Sequence, residues 1–184
     1  MQVFNLEATK QTILIMGGSL GASSINKVIQ ANLVSFFDKN IQLIWQTGKP
    51  NAEVYANSAH NYKNVFVHSF IDNMSAAYVA ADIVISRSGA MAVSEICITG
   101  KPAVFVPYPL AAEDHQTFNA MTLVNNNAAA IVKDKEVGND LIPSVLQLLG
   151  NEQQMQTMQN NIKAFAFRNA DEIIAKEILK QINE

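Results

Sequence analysis

Apolar positions along the chain alternate between two rhythms. Short, largely apolar runs lie at residues 12–16, 41–46, 65–67, 83–85, 103–106 and 128–132. Between them, apolar residues recur every three or four positions. Short apolar runs of three to six read as strands buried on both faces, and the longer spacing reads as the stripe of an amphipathic helix. The first stripe, Ile25, Val28, Ile29, Leu33, Phe36 and Phe37, predicts one helix from Ala22 onward. Further helices are predicted at 51–59, 74–81, 91–98, 113–126, 139–149, 152–165 and 170–182. Residues 1–10 have no clear period and read as a lead-in. Gly100 and Pro102 stop the helix at 91–98 as a glycine and a proline past a helix end should.

Strand and helix alternating six times predicts an α/β fold, a Rossmann-like parallel sheet of about six strands with helices on both faces. In such sheets ligands bind beyond the carboxyl ends of the strands. The unusual residues fall there. The glycine loop Gly17, Gly18, Ser19, Leu20, Gly21, Ala22 follows the first strand, and His68 to Met74 follows the third. Arg87, Ser88, Gly89 and Ala90 follow the fourth, and a proline-bracketed stretch with Gln116 and Asn119 follows the fifth. No repeat, low-complexity run or interdomain linker interrupts this order.

Composition narrows the picture. Hydrophobic residues make up 49% and charged residues 16% of 184 residues, enough for a sizeable core. A net charge of -3 gives no footprint for a nucleic-acid partner. The single cysteine, Cys97, lies in an apolar run and reads as a buried structural thiol. No leader-like segment opens the sequence and no stretch of about 18 apolar residues could span a membrane, so the expectation is a soluble cytoplasmic chain.

The glycine loop opens a helix, and a helix start offers N–H groups and partial positive charge to a phosphate. Ser19 adds a hydroxyl. Gly89 marks a second such start, so two of them could hold a diphosphate between them. The plainer alternatives are an ordinary turn at each place and a solvated Arg87. Glu95 lies about a turn into the second helix, where a carboxylate can accept from ribose hydroxyls or simply complement the helix dipole. His68, Asp114 and His115 could suggest acid–base or metal chemistry, but no metal-ligand spacing joins them, and no metal is expected. Gln116 and Asn119 share a helix face. The loop fits neither Gly-x-Gly-x-x-Gly nor the P-loop pattern, which disfavours a dinucleotide oxidoreductase or a P-loop NTPase.

Taken together, GGSLGA (17–22), WQTGK (45–49), FIDNM (70–74), AYVAADIVISRSGAMAVSEI (77–96), GKPAVFVPYP (100–109) and HQTFNA (115–120) closely resemble the MurG family of glycosyltransferase family 28. These are the peripheral membrane enzymes that move N-acetylglucosamine from UDP-N-acetylglucosamine to lipid I, giving lipid II in peptidoglycan synthesis. The resemblance covers the carboxyl-terminal, donor-binding half of a GT-B architecture. It implies that residues 1–184 form the UDP-sugar domain, with 151–184 as carboxyl-terminal helices. The acceptor-binding domain, with its catalytic base and its contact with the cytoplasmic face of the membrane, lies outside this chain. The final helices, residues 154–184, are then expected to lack part of their packing partner.

The resemblance implies a donor site made of Gly18, Ser19, Leu20, Gly21 and Ala22 for the diphosphate. Phe70, Ile71 and Met74 serve the base, Ile71 through its backbone. Arg87, Ser88, Gly89 and Ala90 flank the nucleotide, Glu95 takes the ribose hydroxyls, Gln116 contacts the sugar hydroxyls, and Met91, Ala92, Val93, Ser94, His115 and Asn119 complete the donor site. The family often has two adjacent glutamines where this chain has His115 and Gln116. No cofactor and no metal are implied, and the transfer inverts configuration. The alternatives are the donor subunit of a split glycosyltransferase, a nucleotide-sugar epimerase, which the length disfavours, and a non-catalytic nucleotide-binding module.

Overall fold

The computed structural model describes residues 4–182. Strands β1 (Thr12–Met16), β2 (Gln42–Gln46), β3 (Val65–His68), β4 (Ile83–Ser86), β5 (Ala103–Phe105) and β6 (Ala130–Ile131) form one sheet in the order β3-β2-β1-β4-β5-β6. Every neighbouring pair is parallel. β1 and β2 are buried at each of their five positions, as strands covered on both faces must be.

Alternation along each strand sorts the core into two layers. Ile13, Ile15, Leu43 and Trp45 point to one face, against α1 (Ser23–Ala31), α2 (Leu33–Asp38), α3 (Ala52–Ala59), α7 (Val137–Leu149) and α8 (Glu152–Ile162). Leu14, Met16, Ile44, Val84 and Phe105 point to the other, against α4 (Met74–Ala80), α5 (Ala90–Thr99) and α6 (His115–Val124). From β1 the sheet grows through β2 to β3 on one side, and through β4 and β5 to β6 on the other. The order reverses between β1 and β4, so loops leaving those two strands diverge and leave a crevice.

Several boundaries differ from expectation. The helix expected from Ala22 to Phe37 breaks at Asn32, whose Nδ2 donates 2.8 Å to the carbonyl of Val28, so α1 and α2 are separate. The helix expected from residue 113 starts at His115. It is preceded by a 3-10 turn, Ala112–Asp114, in which Glu113 and Asp114 hold φ of 51° and 52°. The lead-in is fastened: Phe4 is buried and meets the His68 ring edge-on at 5.5 Å. Glu7 exchanges two hydrogen bonds with the Gln42 side chain. Residues 1–3 of that lead-in lie outside the described residues. Of the final helices, α8 buries Met158 and Ile162, whereas α9 (Ala170–Ile182) buries nothing and exposes Ile173, Ile174, Ile178 and Ile182. Residues 183–184, the rest of that expectation, lie outside the described residues.

The loops after β1 and β2 press backbone to backbone. Gly21 has φ +77° and a Cβ there would stand 2.1 Å from the Thr47 carbonyl oxygen; Gly48 has φ +81° and a Cβ there would stand 2.2 Å from the Gly21 nitrogen. Only glycine fits either place. The buried Asn26 side chain spans the contact. Its Nδ2 donates to the Thr47 carbonyl at 2.8 Å, and its Oδ1 accepts from Trp45 Nε1 at 2.9 Å. Asn26→Ala leaves a buried indole N–H and a carbonyl unpaired, and is expected to cost about 3 kcal/mol in urea unfolding. A loss under about 0.5 kcal/mol would remove the clamp from this account.

Cys97 is buried, and burial pushes its thiol up to about 11. About one thiol in a thousand is then ionised at pH 8. Alkylation by iodoacetamide at that pH should be undetectable in the folded chain and rapid in denaturant. Rapid labelling of the folded chain would show that the helix opens locally.

Candidate functional site

At the carboxyl ends of β1 and β4 lies an open cleft of about 540 Å3. That is the size of a small-molecule site. Gly17, Gly18 and Ser19 form one wall. Gly89, Ala90, Met91, Ala92 and Glu95 of the α5 start form the opposite one. Phe70, Ile71 and Met74 close one end, and Arg87 and Gln116 also line the cleft. Residues expected from four separate loops therefore meet in one place. Met16, Gln46 and Ser86 line it too and were missed, although each is the last residue of its strand, where the carboxyl-end rule points.

Two helix starts serve this region. α5 begins after Gly89, in extended conformation with no side-chain cap, and α1 begins after Ala22, also without one. First-turn N–H groups left without a side-chain acceptor suit an anion. The α4 start is different: Asn73 Oδ1 accepts from Ala76 N at 3.0 Å, closing that end and setting Met74 and Ile71 in place. Glu95 is the one carboxylate in the lining, and one of its oxygens, Oε2, accepts from the Tyr78 hydroxyl at 2.9 Å.

Arg87 lines the cleft but is held within the fold rather than solvated. One guanidinium nitrogen donates to Asp134 and to the carbonyls of Val106 and Pro107 at 3.0 and 3.1 Å. The other donates to Ser24 Oγ at 3.0 Å, and Ser24 in turn donates to Asp134. The guanidinium also stands 5.5 Å over the Tyr108 ring. Arg87 thus ties the α1 start to the loops after β4 and β5.

The remaining expected residues are placed behind the cleft or beyond its rim. Ser88 is fully buried. It donates to the Gln116 carbonyl at 2.8 Å, and its own carbonyl accepts from Asn119 Nδ2 at 3.0 Å. Both side chains are spent in fixing α6 against the glycine turn. Gln116 Oε1 accepts from Tyr108 N at 3.0 Å, which leaves its amide NH2 as the free end beside Gly89. Val93 and Ser94 lie on the other side of α5, with Asn119, Cys97 and Phe165. Leu20 is 81% exposed, Ala22 is buried as the α1 cap, and Gly21 is locked against Thr47. His115 is exposed, with Nδ1 2.8 Å from the Ala112 oxygen. His68 ends β3 away from the cleft lining, and burial lowers its tendency to protonate. Among the described residues no three His, Cys, Asp or Glu side chains gather in a metal-holding group, and no helix is long and apolar enough to cross a membrane.

A parallel sheet whose switch-point cleft joins two glycine-marked helix starts to a single carboxylate is a Rossmann-like domain of the kind that forms the carboxyl-terminal half of GT-B enzymes. The chain belongs to the glycosyltransferase family 28 C-terminal domain family, whose model matches residues 12–174. It is 43% identical over 183 residues to the UDP-N-acetylglucosamine--N-acetylmuramyl-(pentapeptide) pyrophosphoryl-undecaprenol N-acetylglucosamine transferase of Parabacteroides distasonis, covering 98% of this chain and 50% of that protein. It is 45% identical over 181 residues to the protein of the same name from Bacteroides fragilis, covering 96% of this chain and 48% of that one. The crystal structure of Acinetobacter baumannii MurG superposes with a TM-score of 0.82 at 30% identity, over 97% of this chain and 52% of that chain. A Neisseria meningitidis UDP-GlcNAc 2-epimerase bound to UDP-GlcNAc, at TM-score 0.68 and 18% identity, covers 97% of this chain and 47% of that one and shares the fold alone. The chain spans about half the length of the curated relatives it matches.

Arg87→Ala leaves Asp134 with Ser24 alone and takes the side-chain donor from two carbonyls, and is expected to cost about 2 kcal/mol in urea unfolding, the pair being partly reached by water. Arg87→Lys should recover less than half of that, because one ammonium cannot serve both sides of the fork. Full recovery by lysine would reduce the brace to a simple charge contact.

Proposed function

We propose that this chain is the donor-binding half of the glycosyltransferase that converts lipid I to lipid II, and that its switch-point cleft takes UDP-N-acetylglucosamine. The observation that carries the reading is Glu95. It is the one carboxylate of a cleft whose opposite wall is the glycine loop, within a chain of family 28. Its free oxygen suits the vicinal hydroxyls of a ribose. The N–H groups of the glycine loop and of the α5 start suit the diphosphate. The loop Phe70, Ile71 takes the uracil edge, and the Gln116 amide donates to sugar hydroxyls.

Transfer of the sugar passes through an oxocarbenium-like state and leaves UDP carrying new charge. Stabilising that charge is this half's share of the catalysis, by N–H groups already aimed at it and without a metal. The base that activates the acceptor hydroxyl, the lipid I site and the contact with the cytoplasmic face of the bacterial membrane belong to the other half of the enzyme. Attack from that side inverts the anomeric carbon.

Calorimetric titration of the chain with UDP-N-acetylglucosamine tests this, with UDP-glucose and GDP-mannose as comparisons. Saturable binding is expected with UDP-N-acetylglucosamine preferred, and Glu95→Ala should weaken it by about tenfold or more, the loss of hydrogen bonds to a charged group. Equal binding of GDP-mannose, or an unchanged affinity in Glu95→Ala, would overturn the reading.

A further inference from the structure

Tyr78 is buried in the second core layer, yet its hydroxyl leaves that layer to reach Glu95 Oε2 at 2.9 Å. It stands one helical turn after Met74 on α4, so one face of that short helix carries both a cleft-lining side chain and the phenol behind the carboxylate. Glu95 sits on α5, which packs against α4. Burial, then the nearby Glu95 charge, then the hydrogen bond push the ionisation of the phenol far up, so it remains a donor across the working pH range.

A glutamate has three rotatable bonds and, on the wall of an open cleft, many rotamers to choose from. A donor fixed on one oxygen removes most of that freedom and leaves the other oxygen as the acceptor for a ligand. Ordering that is complete before binding is not charged against affinity. A cis-diol needs its acceptor in one place, whereas a 2′-deoxyribose offers one hydroxyl and gains less from a fixed carboxylate.

We propose that Tyr78 is a positioning residue that holds Glu95 in its diol-accepting rotamer, and so sets the preference of the cleft for ribo- over 2′-deoxyribonucleotides. The proposal rests on the nucleotide reading of the cleft given above.

The test is the ratio of dissociation constants for 2′-deoxy-UDP and UDP, measured by titration on the chain, Glu95→Ala and Tyr78→Phe. Near-ultraviolet circular dichroism establishes the folded fraction of each. The unsubstituted chain is expected to prefer UDP, and Glu95→Ala to bind both nucleotides alike. Tyr78→Phe keeps the buried ring and loses only the hydroxyl. It should weaken UDP about tenfold, the scale of one hydrogen bond to a charged group, while leaving 2′-deoxy-UDP nearly unchanged, so that the ratio falls toward one. If Tyr78→Phe keeps the ratio while Glu95→Ala abolishes it, the positioning role is wrong and the nucleotide reading stands. If Tyr78→Phe weakens both nucleotides equally, the hydroxyl is structural and the proposal fails. If the unsubstituted chain does not distinguish the two nucleotides, the ribose reading of Glu95 and this proposal fall together.

Discussion

The side chain of Asn26 sits where the two loops that shape the cleft floor touch. It holds the indole of Trp45 with one end and the backbone of Thr47 with the other. The fit is tight enough that neither Gly21 nor Gly48 could carry a methyl group. A neutral amide supplies this clamp where a charge would be costly to bury. The loop after β1 is thereby given its curvature by the loop after β2. The backbone N–H groups expected to meet a diphosphate hang on a contact that lies outside the cleft lining.

The Arg87 brace does for the β4 side what Asn26 does for the β2 side. Its guanidinium satisfies Asp134, Ser24 and two carbonyls that leave β5, so α1 and the loops after β4 and β5 cannot shift independently. Behind the cleft, Ser88 and Asn119 fasten α6 to the Gly89 turn. Among the polar groups facing the cleft are the glycine loop with Ser19, the uncapped α5 start, one oxygen of Glu95 and the Gln116 amide. A site built this way spends its polar side chains on holding backbone in place and recognises through backbone and a small number of side-chain ends.

Most of the architecture was legible in the sequence because a parallel sheet buried on both faces writes itself as unbroken apolar runs such as Ile13, Leu14, Ile15. The helix break at Asn32 was not, since an amide turning back on its own helix interrupts no apolar period. The late start of α6 was hidden likewise, because Glu113 and Asp114 look like helix-start residues yet adopt left-handed backbone. Position along the chain found the loops that meet at the cleft but could not tell which side of α5 a residue takes. Glu95 and Met91 face the cleft, and Val93 and Ser94 do not. Arg87 lines the cleft as expected, but its partner Asp134 lies 47 residues away, so that its charge is already matched within the fold was not legible in the sequence.

We propose that the switch-point cleft, and no other concavity, takes the nucleotide. A second open cleft of about 600 Å3 lies at the β6 edge, between α6 and α8, lined by Asn127, Asn151, Gln154 and Thr157 among others. Amide chemical-shift mapping of the labelled chain during addition of UDP distinguishes them in one experiment. Perturbations are expected to concentrate at Gly18, Ser19, Ile71 and the Gly89 to Ala92 turn. Perturbations concentrated at Asn127, Asn151 and Thr157, or none at saturating UDP, would contradict the proposal.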